Sequence, residues 1–401
     1  MPRALRIAHR LPRLGVALNL GSSTLKAAWF SMGESEARSD DFALLSRIAV
    51  PLPAFREDDS FRSPPIASDE TWSALLDQVA EAAPSRGANP FLVAHRIVHG
   101  GTRDAPQRLD VDARHALGAL SAWAPLHQAP ALALAAAAST RWPRAGALGV
   151  FDTSWHRTLA AESRTLALPG RWRAAGVERY GFHGLAFQSA YRQLCRSSPS
   201  TASAPVVLAH LGGGASLCAV RGGHSVDTTM GLTPLDGVPM ATRSGSLDPG
   251  VVLHLIREAG GEVDAVEAEL SGRSGLLGLS GISGDMRRLL ADETKPAQLA
   301  IDVFTLRVAQ GIASMATSAG GLEDLVFSGG VGSHAAPVRA EIGERLAWLG
   351  VNIDARANEE NATRIEAIGS RVRVWVVTVD EEWELAHAAL AWQDDDAAAS
   401  P

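Results

Sequence analysis

The sequence predicts an α/β fold in which one unit is built twice. Three observations carry that expectation. Apolar strand-like runs alternate with helical periodicity along the chain, which is the α/β pattern. Two strand–turn–strand units with small or glycine tips, NLGSSTLKAAW at 19–29 and HLGGGASLCAV at 210–220, occur far apart in the same internal order. With 401 residues the chain is long enough for two domains of about 100–200 residues each.

The elements follow in order. Leu14–Leu20 is a short apolar strand, Gly21-Ser22-Ser23 a turn, and Thr24–Phe30 the returning strand. This is a hairpin and not a P-loop, which needs a glycine-rich loop with Lys-Ser/Thr opening a helix. The polar, proline-bearing stretch Ser31–Ile66 reads as irregular surface structure. Phe91–His99 is a strand ending in two glycines, Asp110–Trp123 and Ala131–Thr140 are helices, and Ala147–Phe151 is a strand running into Asp152. Leu185–Arg196 has helical periodicity. The second hairpin is Pro205–His210, the Leu211–Gly214 turn and Ala215–Val220. Pro249–Arg257 and Pro296–Ser318 are helices, Asp324–Phe327 a strand, and Ala336–Leu349 a helix stopped by Gly350. Val372–Val377 is a strand, Glu381–Trp392 a closing helix, and the tail DDDAAASP is expected to be disordered.

Composition narrows the class. The net charge is −7 and no long run of one sign occurs, so the basic stripe of a nucleic-acid binder is missing. Two cysteines, Cys195 and Cys218, exclude a disulfide framework and a Cys-rich zinc module. No continuous apolar run reaches the ~18–20 residues of a membrane span. The N-terminus MPRALRIAHRLPRLG lacks the apolar core of a secretory signal. It reads as an extension before the first strand, with an Arg-rich leader as the alternative, and the cytoplasm is the expected location. Lys26 and Lys295 are the only lysines, so Lys26 beside the first turn stands out from background.

The polar blocks share one chemistry. Glycine turns at 21, 212–214 and 329–332 offer backbone N–H groups suited to phosphates. Arg96 and Arg243 are candidate anion clamps. Asp152, Asp285 and Glu381 are carboxylates at strand–loop junctions, suited to Mg²⁺ or to proton work. His127 and His183 are candidate donors. Cradles, arginines and carboxylates without a zinc pattern favour phosphoryl transfer.

These blocks resemble those of the acetate kinase (acetokinase) family. NLGSSTLK (19–26), AHRIVHGG (94–101), APLHQAP (124–130), VFDTSWH (150–156), RYGFHG (179–184), HLGGGAS (210–216), DTTMGLTPLDGVPMATRSGSLDP (227–249), SGLLGLSGISGDMR (274–287), FSGGVG (327–332) and LGVNID (349–354) follow the family's order, from Leu14 to Trp392. The resemblance implies two duplicated ribonuclease-H-like (actin-like ATPase) lobes around a cleft. The expected division is 1–153, completed by the C-terminal helix 381–401, and 154–380 as the nucleotide-binding lobe.

It also implies an ATP- and Mg²⁺-dependent transfer to acetate, in a homodimer. By family match, Arg96, Arg243, Asp152, His183 and His127 are catalytic. His127 acts either as a donor or by orienting its neighbours. Asp152 holds Arg243 or a metal-bound water, or else caps the helix begun at Thr153. Val98, Leu126, Phe182 and Pro234 form the acyl pocket. Ser22, Lys26, His210, Gly212, Gly213, Gly214, Asp285, Met286, Arg287, Gly330, Val331 and His334 form the nucleotide site, with ribose on Asp285 and adenine between Arg287 and the Gly330 loop. Asn19, Thr24 and Glu381 face the metal, with Glu382 leaving the register open by one.

Three segments depart from the family pattern. Gly213 stands where asparagine is usual, Ser333 and His334 replace an acidic and an amide group, and Val379-Asp380 precede the two glutamates. All concern nucleotide handling. Alternatives are a propionate or butyrate kinase of the same family, or a nucleotide-binding regulatory protein. The presence of Arg96, Asp152, His183 and Arg243 argues against the latter. A sugar kinase is disfavoured by two arginines on the acceptor side.

Overall fold

A computed structural model of the chain describes residues 13–21, 23–32, 42–52 and 68–398, with side chains as far as Trp392. The N-terminal extension, Ser22 and most of the 31–66 stretch lie outside the described residues.

Strands β1 (Arg13–Leu20), β2 (Thr24–Met32), β3 (Leu44–Pro51), β4 (Leu92–Ile97), β5 (Gln107–Arg108) and β6 (Gly146–Phe151) form one sheet in the order β3-β2-β1-β4-β6-β5. Strands β7 (Val206–Leu211), β8 (Ala215–Arg221), β9 (His224–Thr228), β10 (Asp324–Ser328) and β11 (Arg373–Val376) form a second, in the order β11-β10-β7-β8-β9. The first three strands of each sheet pair antiparallel, and the next pairings are parallel. Apart from the two-residue β5, the two sheets therefore repeat one topology, as the paired hairpins suggested.

Burial explains which strands were legible. The centre of β1 and nearly all of β8 are buried in succession, as expected for strands covered on both faces. By contrast β3 alternates between inner and exposed positions at the sheet edge. Its polar half-pattern hid it inside a stretch read as irregular, and the structure corrects that reading for Leu44–Pro51. Strands β5 and β9 and the helix Asp69–Glu81 were not anticipated. Ser68 caps that helix by accepting from Thr71 N.

Two further expectations change. The Ala336–Leu349 helix stops at Arg345, and a short 3₁₀ turn, Ala347–Leu349, follows before left-handed Gly350. The tail expected to be disordered is helical to Ala398, because alanine-rich sequence prolongs the last helix.

Leu208, Leu325 and Phe327 from the second sheet and Phe304, Val308 and Ile312 from the helix Lys295–Ala319 are all essentially inaccessible. Truncating such a side chain to alanine costs about 2–5 kcal/mol. The helix Lys295–Ala319 is long and apolar enough to cross a membrane by length and composition, and half of its apolar window is buried inside the protein. It also refines the reading that no apolar run was long enough. The closing helix Glu381–Ala398 returns to the first sheet, where Leu385, Ala386 and Ala389 pack with Ala17, Phe30, Ala94 and Leu148.

Candidate active site

The carboxyl ends of the central strands converge on one polar centre, the edge at which open α/β sheets bind ligands. Asn19 lies near the end of β1, Arg96 near the end of β4 and Asp152 just beyond β6. The parallel register of β4 and β6 places Ile97 beside Phe151, and Asp152 N donates to Ile97 O. Arg96 Nε then reaches both Asp152 oxygens at 3.1 Å, and its Nη2 reaches Oδ2 at 2.7 Å. The remaining Nη1 donates to Asn19 Oδ1 at 3.2 Å and lies 3.5 Å from Glu381 Oε2.

Asp152 thus holds Arg96, not Arg243, and its carboxylate does not cap the short helix Ser154–Thr158. Burial works against the Arg96 cation, but Asp152 and Glu381 outweigh it and keep its pKa above the ordinary value. Burial pushes the Asp152 carboxyl up, against the pull of Arg96 and the His183 backbone N–H. The three-contact pair favours the ionised carboxylate.

Arg243 is the opposite case. Its Nη2 donates to His127 Nε2 at 3.0 Å and its Nη1 to Pro234 O at 3.1 Å. Among the described residues no carboxylate lies within ion-pair distance of it. Burial, helped by the like charge of Arg96, lowers its pKa to about 10. Burial, with both arginines nearby, also holds His127 well below the ordinary histidine value. The ring is neutral and its Nε2 accepts.

Arg243 and His127 share a cavity of about 70 Å³ with Leu126 and Pro234. Val98 and Phe182, expected in the same pocket, do not line it. They are 4% and 1% exposed and pack with Ala124 and Met230 in the core. The cavity adds Pro125, Thr233, Leu235, Glu267 and Ser271, which the sequence reading missed. Glu267 and Ser271 lie on the helix Val263–Gly272, whose pattern is that of any acidic surface helix.

His183 is held in an uncommon backbone conformation, φ 59° and ψ 26°, sparsely populated by residues other than glycine. It opens the helix Gly184–Ser197, which starts so close to Asp152 that a Cβ on Gly184 would lie 2.0 Å from Asp152 O. The ring Nδ1 is 2.8 Å from Ser216 Oγ. The ring's Nε2 would be 3.0 Å from a Cβ on Gly214, so that glycine allows the close approach. Burial, reinforced by His210, Arg96 and Arg243, holds His183 well below its ordinary pKa.

The Gly212–Gly214 turn and the loop before Asp285 meet at Ala241. Gly213 O accepts from Ala241 N at 3.1 Å, and a Cβ on Gly284 would meet Ala241 O at 2.7 Å. The stretch expected as a turn at 329–332 is a short helix, Gly329–His334, after β10. Its first residue has φ 77° and would clash with Leu211 O if it carried a Cβ. Gly330 is exposed with open space around it, Val331 packs partly against the core, and His334 is exposed. His210 Nδ1 is 3.2 Å from Ser328 Oγ. Asp285 caps the helix Met286–Leu290 and pairs with Arg287, Nη2 to Oδ2 at 2.7 Å. Met286, expected at the nucleotide, instead turns its side chain into the core at 3% exposed.

Asn19 Nδ2 donates to Glu381 Oε2 and Glu382 Oε1, both at 2.7 Å, so both glutamates meet the same amide. Burial opposes ionisation of Glu381, but Arg96 and the Asn19 hydrogen bond outweigh it and its pKa stays below the ordinary range. Thr24 begins β2, and Lys26 lies opposite Asn19. Among the described residues no group of three His, Cys, Asp or Glu side chains converges as a metal cage. The ionised Glu381 carboxylate, with Glu382 on the same amide, fits Mg²⁺, which takes few protein ligands and completes its shell with water and phosphate.

Comparison with known proteins agrees with this chemistry. A sequence model of the Acetokinase family matches residues 14–387. The chain is 43% identical over 313 residues to an acetate kinase of Methylocella silvestris, covering 78% of each. It is 39% identical over 394 residues to an acetate kinase of Clavibacter michiganensis, covering 94% of this chain and 98% of that one. Its fold superposes on a propionate kinase of Francisella tularensis with a TM-score of 0.79 at 30% identity, over 94% of this chain and 98% of that one.

Proposed function

The chain belongs to the acetokinase family, and on that premise we propose that it transfers the γ-phosphoryl of ATP reversibly to acetate, giving acetyl phosphate and ADP. The observation that carries this reading is Arg243, a partly buried guanidinium without a carboxylate partner among the described residues, set in a small, largely apolar cavity. Such a group is poised for an anion that arrives with its own apolar tail.

The central problem is repulsion between a carboxylate and a polyanion, so catalysis is charge neutralisation and positioning. The substrate carboxylate binds Arg243 with its methyl group toward Leu126 and Pro234. ATP lies with its phosphates on the Gly212–Gly214 turn near Lys26 and His210, its ribose near Asp285, and its base between Arg287 and the Gly330 loop. Asn19, Thr24 and Glu381 would hold Mg²⁺, which when bound neutralises phosphate charge. With Nδ1 accepting from Ser216, His183 carries its proton on Nε2 and donates it in a hydrogen bond to the moving phosphoryl group. Asp152 keeps the Arg96 fork aimed at the centre. A carboxylate oxygen attacks the γ-phosphorus, the bond to the β–γ bridging oxygen breaks, and ADP leaves with that oxygen.

Residues 1–153 with 381–401 form one lobe and 154–380 the other, with the site between them. The packing of Leu385 and Ala386 on the first sheet supports that division. A homodimer is supported by the helix Pro249–Glu258, which buries none of its residues in the monomer and exposes Val251 and Leu253, with exposed Leu247 beside it. Its ATP substrate fits a cytoplasmic enzyme.

Trapping acyl phosphate as the hydroxamate, with ATP, Mg²⁺ and a panel of C2–C4 carboxylates, tests the reading. Acetyl hydroxamate is expected. No product from any member would sink the enzyme assignment. Preference for propionate would support the second reading, suggested by the Francisella tularensis neighbour, since one methylene is worth only about 1–3 kcal/mol.

A further inference from the structure

The cavity that holds Arg243 is lined by charged groups of both signs. It contains the Arg243 guanidinium, which has no carboxylate partner among the described residues, and the neutral His127, and the helix Val263–Gly272 contributes Glu267 and Ser271. These two stand four residues apart on that helix and so face the same way. Pro125, Leu126, Pro234 and Leu235 supply the apolar part of the lining. Glu267 makes no hydrogen bond or ion pair among the described residues. Its nearest charge influence is Asp264, one turn earlier and of the same sign. An uncompensated carboxylate at the wall of a site for carboxylates is costly for a substrate that brings a second negative charge.

Resting on the carboxylate-kinase reading, we propose that Glu267 is a specificity-determining residue that filters acyl substrates by the charge of their distal end. With the reacting carboxylate on Arg243, the far end of a substrate longer than acetate occupies a cavity that Glu267 and Ser271 also line. A dicarboxylate meets like charge there. A neutral alkyl end meets the proline and leucine wall. An ammonium or hydroxyl end meets an acceptor. The substrate class admitted is thus short monocarboxylates, including those with a distal hydrogen-bond donor, and short dicarboxylates are excluded.

The test compares propionate, malonate and β-alanine, which share one chain length and differ in the distal group. The readout is the ratio of kcat/KM for malonate, and for β-alanine, to that for propionate within each enzyme, so that a general loss of activity cancels. Glu267 is exposed, so in Glu267→Gln the malonate ratio should rise about three- to fivefold and the β-alanine ratio should fall, the size expected for removing one solvent-screened charge near the substrate. Glu267→Lys should move both ratios further: malonate up, β-alanine down. Ratios within twofold of wild type in both variants would overturn the assignment while leaving the kinase reading intact. Failure of the wild type to phosphorylate any monocarboxylate would overturn both.

Discussion

Arg243 donates through Nη2 to Nε2 of His127 across 3.0 Å, although 116 residues separate them. The contact uses one edge of the guanidinium fork, and Pro234 O takes a hydrogen from the other terminal nitrogen. Both acceptors are neutral, so the fork is oriented without being neutralised. Arg243→Lys should therefore fail to rescue function, because an ammonium cannot keep these contacts and hold a planar anion at once. A kcat loss on the order of 10²–10³ is expected. Steady-state kinetics showing wild-type-like turnover in the lysine variant would refute the role.

Asp285, proposed above to meet the ribose, also caps a helix: its Oδ1 accepts from Arg287 N at the start of Met286–Leu290. Asp285→Ala should raise KM for ATP while leaving KM for acetate nearly unchanged. Loss of the cap should cost about 0.5–2 kcal/mol, read as a lower Tm. A lower Tm with unchanged KM for ATP would show that the side chain only caps the helix.

Gly213 is not among the glycines with positive φ, and nothing lies within 4 Å of a Cβ built on it. Asparagine can therefore enter without strain. A hydrogen bond to a charged phosphate is worth about 1.5–3 kcal/mol, so Gly213→Asn should raise kcat/KM for ATP at saturating acetate. Equal kinetics in two folded proteins would mean that the backbone N–H groups of the turn already suffice.

Three buried histidines predict loss of stability in acid. Burial lowers the pKa of His95 to about 3 and of His99 and His156 to about 4, against about 6.5 in the unfolded chain. Between those values the unfolded chain takes up protons that the folded protein refuses, so stability is fully present above about pH 6.5 and falls as pH drops toward 4. His156 sits between Ser225 Oγ at 2.8 Å and Phe182 O at 3.0 Å. His156→Gln should flatten the pH dependence by about 3 kcal/mol over that window, whatever its absolute stability. Urea unfolding at several pH values reads the slope, and an unchanged slope would show that His156 is not held neutral.

The hairpins, the central strands and the polar blocks of the candidate site were legible because each announces itself locally. Buried strands are apolar in succession, and glycine turns with adjacent arginines, histidines and carboxylates mark a candidate phosphate site. Pairing was not legible. Nothing local says that Asp152 meets Arg96 rather than Arg243, because the β4–β6 register decides it. Met286 lies beside Asp285 in the chain, yet the helix turns it into the core. Strand β3 was hidden because an edge strand needs only one apolar face. Glu267 was invisible because its place in the cavity depends on segments far apart in the chain coming together.

The central claim, attack on the γ-phosphorus by a carboxylate oxygen positioned by Arg243, is tested most directly with acetate carrying ¹⁸O in both carboxylate positions. The wild-type enzyme is incubated with ATP and Mg²⁺ and followed by ³¹P NMR. The account predicts acetyl phosphate with ¹⁸O in the bridge between carbon and phosphorus, unlabelled ADP, and loss of the signal in Arg243→Lys. Release of unlabelled inorganic phosphate without acetyl phosphate would contradict it.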